Sequence, residues 1–194
     1  MAGGSIVRNP IDIWYDFVDP ASVLLMLEIK AARRDREAWV LDSCIKWRAL
    51  EVRPPPSPLV SLNDPEVSSL WESAIPIAQR IGVTLNPPRL VPWTRKAHEL
   101  IAHAEEERRE SAHSLRLAVA QAYAIKGWDI GRVDVLVKIA TDHGWNRTEC
   151  KAILDVDRYE AVVKGSAQEA KACLLYTSDA ADEGLGVDLG GRRI

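Results

Sequence analysis

The stretch YDFVDPASVLLML (Tyr15–Leu27) decides the fold. Its first residues complete an alternation of Ile11, Ile13, Tyr15 and Phe17 on one face, the period-two signal of a strand over Ile11–Val18. From Ser22 onward it is apolar nearly all round, as in a buried helix. The joint between them is Asp19-Pro20-Ala21-Ser22. Asp is a strong N-cap because its carboxylate accepts a backbone N–H of the first helical turn, and Pro at the first helical position gives up a hydrogen bond the helix never makes. The joint therefore reads first as a helix start, worth about 1 kcal/mol over Ala. Asp64-Pro65 opens a second helical stretch with the same pair where no site is suspected, and serves as an internal control.

Outward from this stretch, CIKWRAL (Cys44–Leu50) is the next strand, so strand, buried helix and strand suggest a parallel β-α-β unit. RPPPSP (Arg53–Pro58) then breaks regular structure. From Asp64 the chain reads as helices. One runs from Asp64 to near Gly82, with Pro76 a candidate kink. Ala97, Leu100, Ile101 and Ala104 then recur at helical spacing, as do Leu115, Val119, Ala122 and Tyr123 in the stretch ending at Gly127. Val133, Leu136, Val137 and Ala140 form a further stripe, and Tyr159, Val162 and Val163 another. Each stripe needs a packing partner, so the helices are expected to bury these faces on one another and on the β-α-β unit.

The chain has 194 residues, 47% hydrophobic and 27% charged, which suits one globular domain with a sizeable core. Its formal net charge of -3 offers no basic footprint and argues against a nucleic-acid partner. The first ten residues lack the apolar segment of a signal peptide, and no apolar run approaches a membrane span. The expectation is a soluble cytoplasmic protein. Cys44, Cys150 and Cys173 form no C-x-x-C pair, which argues against a disulfide framework or a four-ligand zinc site. Cys44 and Cys150 read as small buried hydrophobes, with a contact between them in space left open.

The candidate chemistry is concentrated at the joint. A helix N-terminus stabilises an anion such as a thiolate or a bound carboxylate. Asp19 is ionised there and a poor acid, and Ser22 has no adjacent His in sequence to activate it. Asp16, at the strand end, is costly to bury unless paired. His98 and His103 approach the spacing of H-E-x-x-H, but five residues turn a helix by about 500°, so the two rings project about 140° apart. A metal pair is rejected on that geometry, and both His are expected at the surface or boundary of their helix. EEERRE (Glu105–Glu110) reads as a solvated helix end.

The last stretch, CLLYTSDAADEGLGVDLGGRRI (Cys173–Ile194), departs from the helical pattern and resembles an in-frame translation of a transposon-type sequencing adapter. That spelling implies a natural protein interrupted near Ala172, so 173–194 is set aside from the site and expected to be disordered. Without its charges 23 basic and 24 acidic residues remain, close to neutrality.

IWYDFVDPASVLL resembles the opening of DsbA-like thioredoxin-fold proteins, in which a strand enters a helix through C-P-x-C. It also resembles the related 2-hydroxychromene-2-carboxylate isomerases and kappa-class glutathione transferases, where Ser holds the first of those positions. PWTRKAHELIAHAE, YAIKGWDIGRVDVLVKIATDHGW and AILDVDRYEAVVKGSAQEA resemble that family's helical insertion, and the likeness covers about Ile11 to Ala172. It implies an α/β thioredoxin-like fold with a large all-helical insertion, mostly helical because the closing strands and cis-proline segment would follow Ala172. The implied division is 1–58 for the N-terminal β-α-β half and 59–172 for the insertion. The resemblance sets Asp19 at the nucleophile position and Ser22 at its partner, with Pro20 and Asp16 matching the family's flanking residues as weak cofactor-binding candidates. It implies thiol-disulfide oxidoreductase or glutathione-linked isomerase chemistry, with glutathione and a thiol or small-molecule substrate as possible ligands. With no thiol at Asp19 or Ser22, dithiol exchange is not expected here. The alternatives are a glutathione-type isomerase or transferase and a non-catalytic thioredoxin-fold binding module.

Overall fold

The computed structural model describes residues 10–32 and 44–184, with side chains through residue 173. Strand β1 (Ile11–Tyr15) pairs in parallel with β2 (Ile45–Ala49), in a register that sets Ile13 opposite Trp47 and Tyr15 opposite Ala49. Helix α1 (Pro20–Ala32) follows β1, giving the expected β-α-β order. The strand is shorter than the alternation suggests. It ends at Tyr15, and the chain turns so that Asp19 N–H donates to the Asp16 carbonyl at 3.3 Å. Ile11 is exposed, whereas Tyr15 and Phe17 are buried and meet edge to face at 5.3 Å.

Beyond the proline-rich loop, β3 (Val60–Ser61) and β4 (Leu90–Val91) form a short antiparallel ladder around α2 (Pro65–Arg80). The α2 helix passes through Pro76 and stops before Gly82, whose φ of 71° takes the left-handed region that glycine reaches without strain. Next come α3 (Arg95–Glu107), α4 (Arg109–Ala124), α5 (Val133–Asp142), α6 (Arg147–Asp155) and α7 (Glu160–Gly184). Among the described residues the fold comprises seven helices and few strands.

Helix α3 is the hub. It packs on α4, α5, α6 and α7, and Ala97, Leu100, Ile101 and Ala104 are all buried. Helix α1 lies against α2 and α4, and α7 covers β2. Tyr15, Phe17 and Trp47 of the β-α-β unit join Leu100, Leu115, Tyr123, Leu136 and Leu154 of the helices in one hydrophobic cluster. Arg95, at the start of α3, ties Glu51 after β2 to Glu160 of α7 through ion pairs of 2.8 Å each.

Three sequence expectations are corrected. Val162 points outward and is 58% exposed, because only the Tyr159 and Val163 side of α7 meets the core. Cys44 lies just before β2 and is half-buried, while Cys150 is buried; both are free. In EEERRE the chain leaves helical geometry at Arg108, and half-buried Glu105 turns inward to pair with buried Arg116. The backbone of α7 runs on through residues 173–184, where no Pro and no Gly before Gly184 interrupts it; 185–194 lie outside the described residues.

Candidate functional site at the strand-to-helix corner

Asp19 sits at the N-terminus of α1, and its Oδ2 accepts the backbone N–H of Ser22 at 2.8 Å. This is the capping bond expected from the sequence. The same oxygen accepts the Ser22 hydroxyl at 2.5 Å. Ser22 Oγ in turn accepts the Asp16 backbone N–H at 3.4 Å. The two residues at the ends of DPAS are thus each other's partners, and Asp19 supplies from within the chain the negative charge that the helix N-terminus favours. The control pair behaves likewise: Asp64 caps α2 by accepting from Glu66 N–H at 3.1 Å.

Beneath the corner, Asp16 is buried at 1% exposure and doubly held. Its Oδ2 accepts Val52 N–H at 2.8 Å, which fastens the chain after β2 to the end of β1. Its Oδ1 faces His98 Nε2 at 3.3 Å. A carboxylate there is stabilised by this pairing, which answers the burial cost that its position implies. His98 is buried, with Tyr15 and Phe17 rings at 5.1 and 5.0 Å, and its Nδ1 has no hydrogen-bond partner among the described residues.

The placement of the two histidines corrects the expectation of surface or boundary positions. They do point apart, as the helical rotation requires, but α3 is covered on both sides, so both are buried. His98 faces the corner, while His103 faces Tyr159 and Glu149 on the far side. Sequence reasoning missed His98 as a support because its partner is 82 residues away.

A model of the DSBA-like thioredoxin domain family matches residues 10–175. The chain belongs to that family. Among curated proteins it is 29% identical over 164 residues to the uncharacterized protein YwbO of Bacillus subtilis (strain 168), covering 82% of this chain and 78% of YwbO. Among solved structures it is similar to a probable DsbA oxidoreductase, SCO1869 from Streptomyces coelicolor. The TM-score is 0.69 at 18% identity, over 86% of this chain and 76% of that one. It is also similar to a 2-hydroxychromene-2-carboxylate isomerase, with a TM-score of 0.58 at 16% identity over 81% of this chain and 78% of that one. Oxidoreductase and isomerase relatives thus share the fold of this DsbA-like chain.

Within the DsbA-like frame, Asp19 and Pro20 open onto a groove of about 410 Å³ between α1 and α2. Leu24, Leu25, Leu70, Ala74 and Ile77 line its walls, with Glu28 and Arg80 among its polar lining. A glutathione thiolate at the helix N-terminus would meet the Asp19 carboxylate instead of free N–H groups, so the corner does not fit that anion. No helix among the described residues is long and apolar enough to cross a membrane.

Proposed function

We propose that this DsbA-like protein is redox-inactive at its helix corner and acts as a binding module, with the α1–α2 groove as its ligand site. The observation that carries this reading is the Asp19–Ser22 pair: the carboxylate takes both the Ser22 N–H and its hydroxyl, and neither position holds a thiol. Disulfide exchange requires thiolate attack on a disulfide sulfur, which neither a carboxylate nor a serine hydroxyl performs. The fixed corner instead presents a rigid acidic end to an apolar trough. Such a groove suits a small molecule with an apolar body and a hydrogen-bond-donating or cationic end toward Asp19. Cys44 and Cys150, both free, are in keeping with a cytoplasmic setting, which belongs to this proposal.

An insulin-reduction assay with dithiothreitol or glutathione as reductant tests the reading. The expected rate equals that of the reductant alone, and thiol-dependent turnover abolished by Asp19→Ala would overturn it. Calorimetric titration with glutathione separates the isomerase or transferase alternative: saturable glutathione binding lost on Ser22→Ala would favour that alternative over the binding module.

A further inference from the structure

Two adjoining cavities lie along β2, and neither shares a residue with the α1–α2 groove. The first, of about 340 Å³, is bordered by Lys46, Trp47 and Arg48 of β2 and by Arg109 and Arg116 of α4. Consecutive strand residues point to opposite faces, so a cavity that meets three in a row runs along the edge of the strand. The second, of about 320 Å³, lies between the strands, α3 and α7, with Tyr15, Ile101 and Val163 in its walls. Trp47, Arg48 and Glu105 border both.

The charges of the first cavity are not balanced. Arg48 pairs with Asp12 at 2.7 Å, and Arg116 pairs with Glu105. Lys46 and Arg109 are exposed, border the same space and make no ion pair among the described residues. Two cations thus share one cavity without counter-charges, and a doubly charged oxyanion answers both.

The second cavity gathers polar atoms that lack partners. Trp47 Nε1, His98 Nδ1 and Ser166 Oγ are buried without a hydrogen bond among the described residues, and all three residues border it. Trp47 and His98 are 9% and 1% exposed as whole residues. Buried polar groups are normally paired, so unpaired ones that converge on one space point to a polar guest. The indole N–H can only donate, so the guest must offer an acceptor, while the serine hydroxyl takes either role. Hydroxyl groups meet both demands. Glu169 on the α7 side of this cavity repels an anion, which orients the guest with its charge toward α4.

We propose that the double cavity binds a phosphate monoester of a small polyhydroxy compound, of the sugar phosphate class. Lys46 and Arg109 hold the phosphate, and Trp47, His98 and Ser166 meet the hydroxyl-bearing body. A phosphate monoester brings close to two negative charges at neutral pH and strong acceptor oxygens, which match the two uncommitted cations and the indole donor. The site is independent of the reading given to the α1–α2 groove.

The test is calorimetric titration of the full chain, in phosphate-free buffer of low salt, with ribose 5-phosphate, inorganic phosphate, ribose and succinate. Ribose 5-phosphate is expected to saturate at one equivalent, inorganic phosphate to bind more weakly, and ribose and succinate more weakly still. Lys46→Ala with Arg109→Ala, both exposed positions, is expected to weaken ribose 5-phosphate binding at least about 10-fold, with the unfolding temperature of the free protein unchanged. Ser166→Ala is expected to weaken ribose 5-phosphate about 3–10-fold and to leave inorganic phosphate affinity as it was, a split that a loss of folding does not produce. Absence of saturable ribose 5-phosphate binding, unchanged affinity in the double alanine variant, or succinate bound as tightly as ribose 5-phosphate would each overturn the proposal.

Discussion

Replacing Asp19 with Ala removes one acceptor and leaves two donors without it. The capping bond to Ser22 N–H contributes about 1 kcal/mol, as N-caps do. The second bond, from the Ser22 hydroxyl to the same oxygen, is half-buried, and the freed hydroxyl can turn to water, so its loss costs below about 1 kcal/mol. Asp19→Ala should therefore destabilise the fold by about 1.5–2 kcal/mol. Asp19→Asn keeps an acceptor for both donors and loses only the charge at the helix N-terminus, about 0.3–1 kcal/mol. Asp64→Ala, on an exposed cap with one bond, should fall at the lower end near 0.5–1 kcal/mol. Urea unfolding followed by the fluorescence of the seven tryptophans measures all three. The reasoning also fixes a coupling: in a cycle of Asp19→Ala and Ser22→Ala, the two changes should cost less together than the sum of each, by about 0.5–1 kcal/mol. Additive effects, or an Asp19→Asn as costly as Asp19→Ala, would refute the view that the corner is held by acceptor geometry.

Asp16→Ala strands both Val52 N–H and His98 in the interior, and should destabilise by about 3–5 kcal/mol in the same unfolding assay, whereas Asp16→Asn, which still accepts from Val52, should cost clearly less. Burial raises the Glu99 carboxyl above its ordinary range, the Lys96 ammonium opposing the shift. Because the folded pKa lies above the unfolded one, its contribution is fully present below the unfolded pKa and is lost as pH rises through the folded pKa. Unfolding midpoints of Glu99→Gln across that acid range should lack this decline, and an identical pH profile would contradict it. Arg116 is buried, donates to the Tyr15 hydroxyl at 3.2 Å, pairs with Glu105 and lies over the Tyr15 and Trp47 rings. Arg116→Lys should cost at least about 1 kcal/mol because an ammonium cannot make the fork and the stacking at once, and a neutral result by thermal unfolding would count against that view.

What could be read from the chain alone follows the range of the forces involved. The β-α-β order, the Asp19 and Asp64 caps and the apolar stripes of α3 and α4 are local patterns, and they were legible because strand alternation, capping and helical spacing act over a few residues. Val162 escaped the same logic because a stripe of three residues fixes no face, and packing chose the Tyr159 and Val163 side. The support of the corner was out of reach for another reason. Asp16 finds His98 82 residues away and Val52 36 residues away, pairings set by the docking of α3 and by the β1–β2 register rather than by any local pattern. His98 and His103 looked like surface residues because a helix with polar residues on both sides normally meets water. Here α3 is covered by four other helices, so both imidazoles found buried partners instead.

On the proposed reading, the corner keeps the fold of a redox site without its reaction. A redox site at this position would need the helix N-terminus free to stabilise a thiolate, and it would tolerate an open cap only because surrounding contacts hold the turn. In this chain those contacts are present. Asp16 is pinned to Val52 and faces His98, and its backbone N–H reaches Ser22. A carboxylate placed above that support completes the cap that a thiolate would leave to be made by charge alone. On the proposed reading, a carboxylate at position 19 therefore favours stability at the point where catalysis would require an unoccupied anion site. The same support should let Asp19→Ser keep the fold, since Ser caps about as well as Asp. Its unfolding free energy is expected within about 1 kcal/mol of the parent. A collapse of stability in that variant would show that the Asp19 charge, rather than the Asp16 framework beneath it, holds the turn together.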